Sequence, residues 1–109
     1  YLLKLFREFN FPVTILRLYL SYGPRQDINR FLPIIINGCI NDKKFPCSSG
    51  TQLRDFVHVE DVFKAIFKCF NNKKARGEIF NVGTGKPRKL KSIIFLIKKN
   101  FKRWYSRIW

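Results

Sequence analysis

Acidic residues are scarce in this chain: seven Asp and Glu stand against 22 Lys and Arg, a formal net charge of +15 over 109 residues. No apolar run approaches the roughly 18 residues needed to span a bilayer. The N-terminal segment has no basic region, apolar stretch and cleavage site in series, so no secretory signal is read there. The three cysteines, Cys39, Cys47 and Cys69, form no C-x-x-C pair, and His58 is the single histidine. Neither zinc ligation nor a disulfide framework is indicated, no metal site is expected, and free thiols in a reducing cytoplasm are the expectation. The chain also opens on Tyr1 rather than Met. Its length suffices for one modest core but is small for several binding sites and a catalytic centre together, so a piece of a longer protein is expected.

What is present argues for a folded chain. A hydrophobic share of 46%, with twelve Phe spread over periodic segments, is unlike a disordered sequence. The charge excess suits nucleic acid, an anionic membrane or phosphorylated small molecules. Many of the cations, among them Lys4, Arg7, Lys64 and Lys68, fall on the polar faces of apparent helices, where a solvated surface accounts for them. No aromatic-basic RNA signature or recognition-helix pattern accompanies them, so neither a nucleic-acid nor a membrane partner is expected.

Along the chain, Leu2, Leu5, Phe6 and Phe9 repeat at helical spacing and predict an amphipathic helix ending near Asn10, broken by Phe11-Pro12. Val13 to Tyr19 reads as a buried strand, followed by a turn at Ser21-Tyr22-Gly23-Pro24. A second helix is expected from Arg30 to Ile40, with Pro33 in its first turn, where a missing N–H is no loss. Lys43 to Cys47 is a short-strand candidate and Asp55 to Val59 another. Val62, Phe63, Ile66, Phe67 and Phe70 then form an apolar helical stripe whose N-terminus Glu60 and Asp61 favour, with Asp61 as its expected cap. Glu78 to Val82 is a strand, and Leu90, Ile93, Ile94 and Ile97 mark a last helix.

Two apparent motifs fail on inspection. Gly83-Thr84-Gly85 lies between a strand and a helix, but the third glycine of G-x-G-x-x-G falls at Arg88, whose side chain would obstruct close helix packing. A turn is the better reading. Ser49, Asp55 and His58 contain the residue types of a catalytic triad, yet the odd spacing of Asp55 and His58 along a strand turns them to opposite faces.

The informative run is Gly50-Thr51-Gln52-Leu53-Arg54-Asp55-Phe56-Val57-His58-Val59-Glu60-Asp61-Val62. It resembles the G-x-x-x-R-D-F-V-x-V-x-D-V segment of the extended short-chain dehydrogenase/reductases, the NAD-dependent nucleotide-sugar epimerase/dehydratase family. Three more segments are similar to that family's motifs, in its order: Leu16-Arg17 through Tyr22-Gly23-Pro24-Arg25-Gln26, Arg30-Phe31-Leu32-Pro33, and Phe80-Asn81-Val82-Gly83. The resemblance covers nearly all of residues 1–99.

The resemblance implies an α/β fold: the C-terminal part of a Rossmann-like domain interleaved with a small α/β substrate-binding subdomain. It implies that Arg54 reaches the diphosphate of a nucleotide sugar, a role suited to the forked donors and permanent charge of a guanidinium. Pairing with a neighbouring carboxylate is the alternative for Arg54. Phe45 corresponds to the segment flanking the nucleotide base, with core packing an equal contender; Leu32 and Pro33 drape backbone over substrate, and Arg30 adds charge beside it. Tyr19 and Leu20 are the residues the resemblance implies for cofactor binding. At Leu20 many relatives place an Asn that hydrogen-bonds substrate, which leucine cannot do, and His58 replaces the usual Tyr, a difference read as packing.

The family's proton-transfer pair, Y-x-x-x-K, is absent: Tyr1-Leu2-Leu3-Lys4 is one residue short. No catalytic residue is therefore expected in this chain, and the pair and the glycine-rich cofactor loop are expected before residue 1. Relatives continue past the Ile97 helix into K-G-G-x-P-x-F-G. One set of codons for Asn100 to Trp109, read one base later, restores that pattern, so residues 100–109 are expected to be an out-of-frame tail. A basic, aromatic membrane-binding tail is the alternative. The expected parent is a cytoplasmic, homodimeric enzyme that uses NAD or NADP on a nucleotide-sugar substrate. A basic nucleic-acid or membrane-surface module is the rival reading.

Overall fold

The computed structural model describes the backbone of residues 1–108 and the side chains of residues 1–101. In chain order the elements are α1 (Leu2–Phe9), β1 (Ile15–Leu18), β2 (Leu20–Tyr22), α2 (Phe31–Ile40), β3 (Leu53–Arg54), β4 (Phe56–His58), α3 (Val59–Phe70), β5 (Ile79–Val82), β6 (Arg88–Lys89) and α4 (Leu90–Ile108). A short 3-10 turn, Lys73–Ala75, leads into β5. The chain divides into two compact units that alternate along the sequence: residues 1–23 with 55–85, and residues 24–54 with 86–109.

The first unit is built on parallel strand pairs. β1 pairs with β5, Leu16 opposite Phe80, and β2 pairs with β4, Ser21 opposite Val57. Parallel neighbours require crossover connections, which is the α/β arrangement expected. Its core is small: Val57, Val62 and Val82 are buried, with Leu16 and Ala65 packed against them. β4, β5 and α3 thus meet through valines, each stabilising by about 1.5–3 kcal/mol when fully buried. Thr14 closes the floor, donating its hydroxyl to the Ala75 carbonyl at 2.8 Å.

The strand expected from Val13 to Tyr19 forms as β1 over Ile15–Leu18, and a second strand, β2, follows it at Leu20–Tyr22. Tyr19 N–H still donates to Val82 O at 3.0 Å, whereas Leu20 N–H donates to Asp55 O at 3.1 Å. At that peptide the chain transfers its hydrogen bonds from β5 to the β4 segment. Ser21 and Tyr22 consequently lie in β2 and not in a turn. The strand expected over Asp55 to Val59 is confined to Phe56–His58, and Val59 already begins α3. α3 is capped by His58, whose Nδ1 accepts from Glu60 N–H at 3.3 Å; Asp61, the expected cap, instead pairs with Lys64 at 3.2 Å. An extended residue at the strand's end is the one placed to reach the second amide of the helix.

α1 ends where expected, with Asn10 in the left-handed region at φ 51. Its apolar stripe is only partly covered. Leu5 and Phe6 are half-buried, whereas Phe9 is 72% exposed.

In the second unit, α2 and α4 pack together and β3 pairs antiparallel with β6. The strand expected at Lys43 to Cys47 does not form. Asp42 turns the chain at φ 48, Lys43 N–H returns to Gly38 O at 2.9 Å, and Pro46 has no N–H to give a ladder. The Gly83-Thr84-Gly85 segment is a bend, as read from the sequence, with Gly85 at φ 71. The backbone of α4 continues to Ile108. Of residues 100–109, expected to be an out-of-frame tail, the side chains of 102–109 lie outside the described residues. No helix among the described residues is long and apolar enough to cross a membrane.

Candidate functional site

At the partner exchange between β1 and β2 the structure places two of the expected site residues, Tyr19 and Leu20. The Tyr19 side chain is half exposed and lies along Gly83, where an added Cβ would collide with its ring and with Asp55 Oδ2. Glycine is needed at residue 83 because a side chain has no room there. Leu20 is half-buried on β2, and its amide is already taken by Asp55.

Asp55 organises this corner. It is 8% exposed, and its carboxylate accepts from Thr84 N–H at 3.0 Å, from Gly85 N–H at 2.8 Å and from the Thr84 hydroxyl. The Thr84 hydroxyl is the main cause that holds the Asp55 carboxyl below its ordinary value. Desolvation works the other way, and the two backbone amides add to the lowering. The sequence offered Gly83-Thr84-Gly85 as a phosphate-cradling candidate. Two of its amides, those of Thr84 and Gly85, are in fact taken by a carboxylate of the same chain. Asp55 and His58 are engaged separately, Asp55 with Thr84 and Gly85 and the His58 ring edge-on to Tyr22 at 5.2 Å.

The remaining expected residues belong to the second unit. Arg30 is the exposed N-cap residue of α2, extended at φ −85, ψ 158, and Leu32 and Pro33 follow in the first turn, half-buried. Phe45 is half-buried against Gly38 of α2, where a Cβ would meet its ring. It lines a cleft of about 810 Å³ together with Lys43, Lys44, Ile94, Lys98 and Phe101. An aromatic ring set among lysines suits a flat, anionic ligand.

Arg54 does not line that cleft. It is exposed on β3, where its Nη1 donates to the Leu53 carbonyl at 2.8 Å. No carboxylate pairs with it among the described residues, so the ion-pair alternative for Arg54 is not what the structure shows. Across the ladder from it stands Arg88. Sequence reasoning treated Arg88 only as the residue that breaks a glycine motif, although the density of cations between Lys86 and Lys91 was a visible signal. Among the described residues no group of His, Cys, Asp and Glu is arranged to hold a metal ion.

The described geometry has counterparts among known proteins. CDP-abequose synthase of Salmonella typhimurium is 36% identical over 87 residues, which are 76% of this chain and 29% of that protein. A dTDP-glucose 4,6-dehydratase of Escherichia coli is 28% identical over 92 residues, 84% of this chain and 25% of its own length. The solved structure of UDP-glucuronic acid 4-epimerase from Bacillus cereus, in complex with UDP-glucuronic acid and NAD, superposes with a TM-score of 0.78 at 30% identity, covering 86% of this chain and 31% of that one. The chain thus spans less than a third of the length of each of these proteins. The model of the NAD dependent epimerase/dehydratase family matches residues 1–83, most of the chain, and with the parallel strands and ordered motifs described above it establishes that the chain belongs to that family.

Proposed function

We propose that this chain is the nucleotide-sugar-binding portion, residues 1–99, of an NAD- or NADP-dependent epimerase or 4,6-dehydratase. The observation that carries the proposal is Arg54: a guanidinium on a short strand, exposed and with no carboxylate partner among the described residues, in the R-D-F motif whose resemblance implies contact with the substrate diphosphate. Its forked donors hold phosphate oxygens bidentately. Phe45 stacks on the nucleotide base at the lysine-rimmed cleft, and the first turn of α2 contributes Leu32 and Pro33 backbone and the Arg30 charge to the sugar-nucleotide. The relatives' names, a CDP-sugar synthase, a dTDP-sugar dehydratase and a UDP-sugar epimerase, support a nucleoside diphosphate sugar as the substrate class.

In this reading the whole protein oxidises the sugar, at C4, to a transient keto-sugar and returns the hydride after epimerisation or loss of water. Bound NAD or NADP supplies the hydride acceptor. This chain contributes to that group a contact surface at Tyr19 and Leu20, while the Thr84 and Gly85 amides are taken by Asp55. Residues 1–109 contain no Y-x-x-x-K, so they bind and orient and do not move the proton. A homodimeric, cytoplasmic parent accompanies the proposal.

The test is a full-length protein carrying this segment. Arg54→Ala is expected to raise KM for the nucleotide sugar more than it lowers kcat, because the diphosphate is remote from the reacting carbon. An unchanged KM rejects the Arg54 role.

A further inference from the structure

The antiparallel register of β3 and β6 sets Leu53 opposite Lys89 and Arg54 opposite Arg88. Directly opposed residues of an antiparallel pair project from the same face with Cβ atoms about 4.5–5.5 Å apart, and like charges so placed destabilise the pairing. Nothing described offsets this. Both arginines are exposed, neither has a carboxylate partner among the described residues, and Arg54 donates only to a carbonyl of its own strand. The surrounding composition deepens the imbalance. The second unit holds fourteen of the 22 basic residues and two of the seven acidic ones, and therefore twelve of the fifteen net positive charges.

A ribbon of two residue pairs has no structural reason to oppose two arginines, which cost it pairing stability. A site for a dianion has one. Two guanidinium-bearing residues on one face suit two adjacent phosphoryl groups, and a bound diphosphate replaces their mutual repulsion with two attractions. We propose that Arg88 is the second cation of the diphosphate site, forming with Arg54 a two-guanidinium clamp on the diphosphate of a nucleoside diphosphate sugar. This rests on the reading of Arg54 given above and extends it to a residue outside the R-D-F motif. Arg88 also immediately precedes Lys89 and the start of α4 at Leu90, so occupancy of the clamp steadies the entry to that helix.

The experiment uses the full chain with inorganic pyrophosphate as probe, titrated by calorimetry and by thermal melting at fixed ionic strength, against sulfate as control. Variants are Arg54→Gln, Arg88→Gln, the double substitution, and Arg88→Lys, which keeps the charge but loses the fork. Arg54→Gln and Arg88→Gln are each expected to weaken pyrophosphate about tenfold or more. The double variant is expected to lose less than the sum of the single losses, because either arginine alone is a half-clamp. Arg88→Lys is expected to fall between wild type and Arg88→Gln. Without anion, Arg88→Gln is expected to melt higher than wild type, because the cross-strand repulsion is gone; with pyrophosphate the order reverses. If Arg88→Gln and Arg88→Lys both bind pyrophosphate like wild type while Arg54→Gln is weakened, the clamp is overturned and the Arg54 role stands. If no variant is weakened, both fall.

Discussion

At Asp55 one carboxylate accepts two backbone amides and a hydroxyl from Thr84 and Gly85, holding a bend that has a glycine at each end. Its carboxyl is held below the ordinary value, chiefly by Thr84, so the contribution to stability is complete above the unfolded carboxylate value of about 4 and is lost as pH falls through the folded one. Asp55→Asn is expected to melt lower than wild type at pH 7 and to show a flatter loss of melting temperature between pH 5 and acid, read by melts across about pH 3–7. A variant with the wild-type acid profile would contradict the assignment. Gly83→Ala places a Cβ against the Tyr19 ring and Asp55, and is expected to destabilise by about 1–3 kcal/mol in denaturant titration. The R-D-F motif made Arg54 and Asp55 visible in the sequence. The partners of Asp55 were not, because they lie 29 and 30 residues away and only the pairing of strands brings them close.

Among the elements, α3 best separates pattern from burial. Its apolar stripe was legible, and the helix forms where the periodicity placed it. The spacing gave Val62 and Phe70 equal weight, yet Val62 is 6% exposed and Phe70 86%. Val62→Ala is expected to cost about 1–3 kcal/mol through a cavity beside Val57 and Val82. Phe70→Ala is expected to change stability by no more than about 0.5 kcal/mol. Equal losses from chemical denaturation would show that the stripe, and not the valine cluster, carries the helix. The cap was misassigned for a related reason. Composition favoured an acidic residue near the N-terminus of α3, but the cap belongs to the last extended residue, and where β4 stops depends on its pairing with β2. The second strand, β2 at Leu20–Tyr22, was illegible on the same ground, since composition records burial and not which neighbour receives the hydrogen bonds.

For the molecule as a whole, the charge is distributed unevenly. Lys4, Arg7, Lys64 and Lys68, the cations that prompted the solvated-surface reading, lie in the first unit, where Lys4 pairs with Glu8 and Lys64 with Asp61. The excess is in the second unit. Raising monovalent salt from about 10 mM to 150 mM shortens the screening length from roughly 30 to 8 Å. It is therefore expected to raise the melting temperature of the chain by damping self-repulsion within that unit. A melting temperature that falls with salt would mean that specific ion pairs outweigh the repulsion.

The sequence by itself determined the fold class and the family, because ordered motifs and hydrophobic periods are local records of strands, turns and helix faces. It also determined that residues 1–109 lack the proton-transfer pair. The tertiary structure alone decided that the Gly83–Gly85 bend serves a carboxylate of its own chain, that β1 gives way to β2 at a change of partner, and that Arg54 faces Arg88. Each of these is a pairing between residues far apart in the chain. Register and long-range hydrogen bonding are fixed by the geometry of the assembled strands, and no local spacing encodes them.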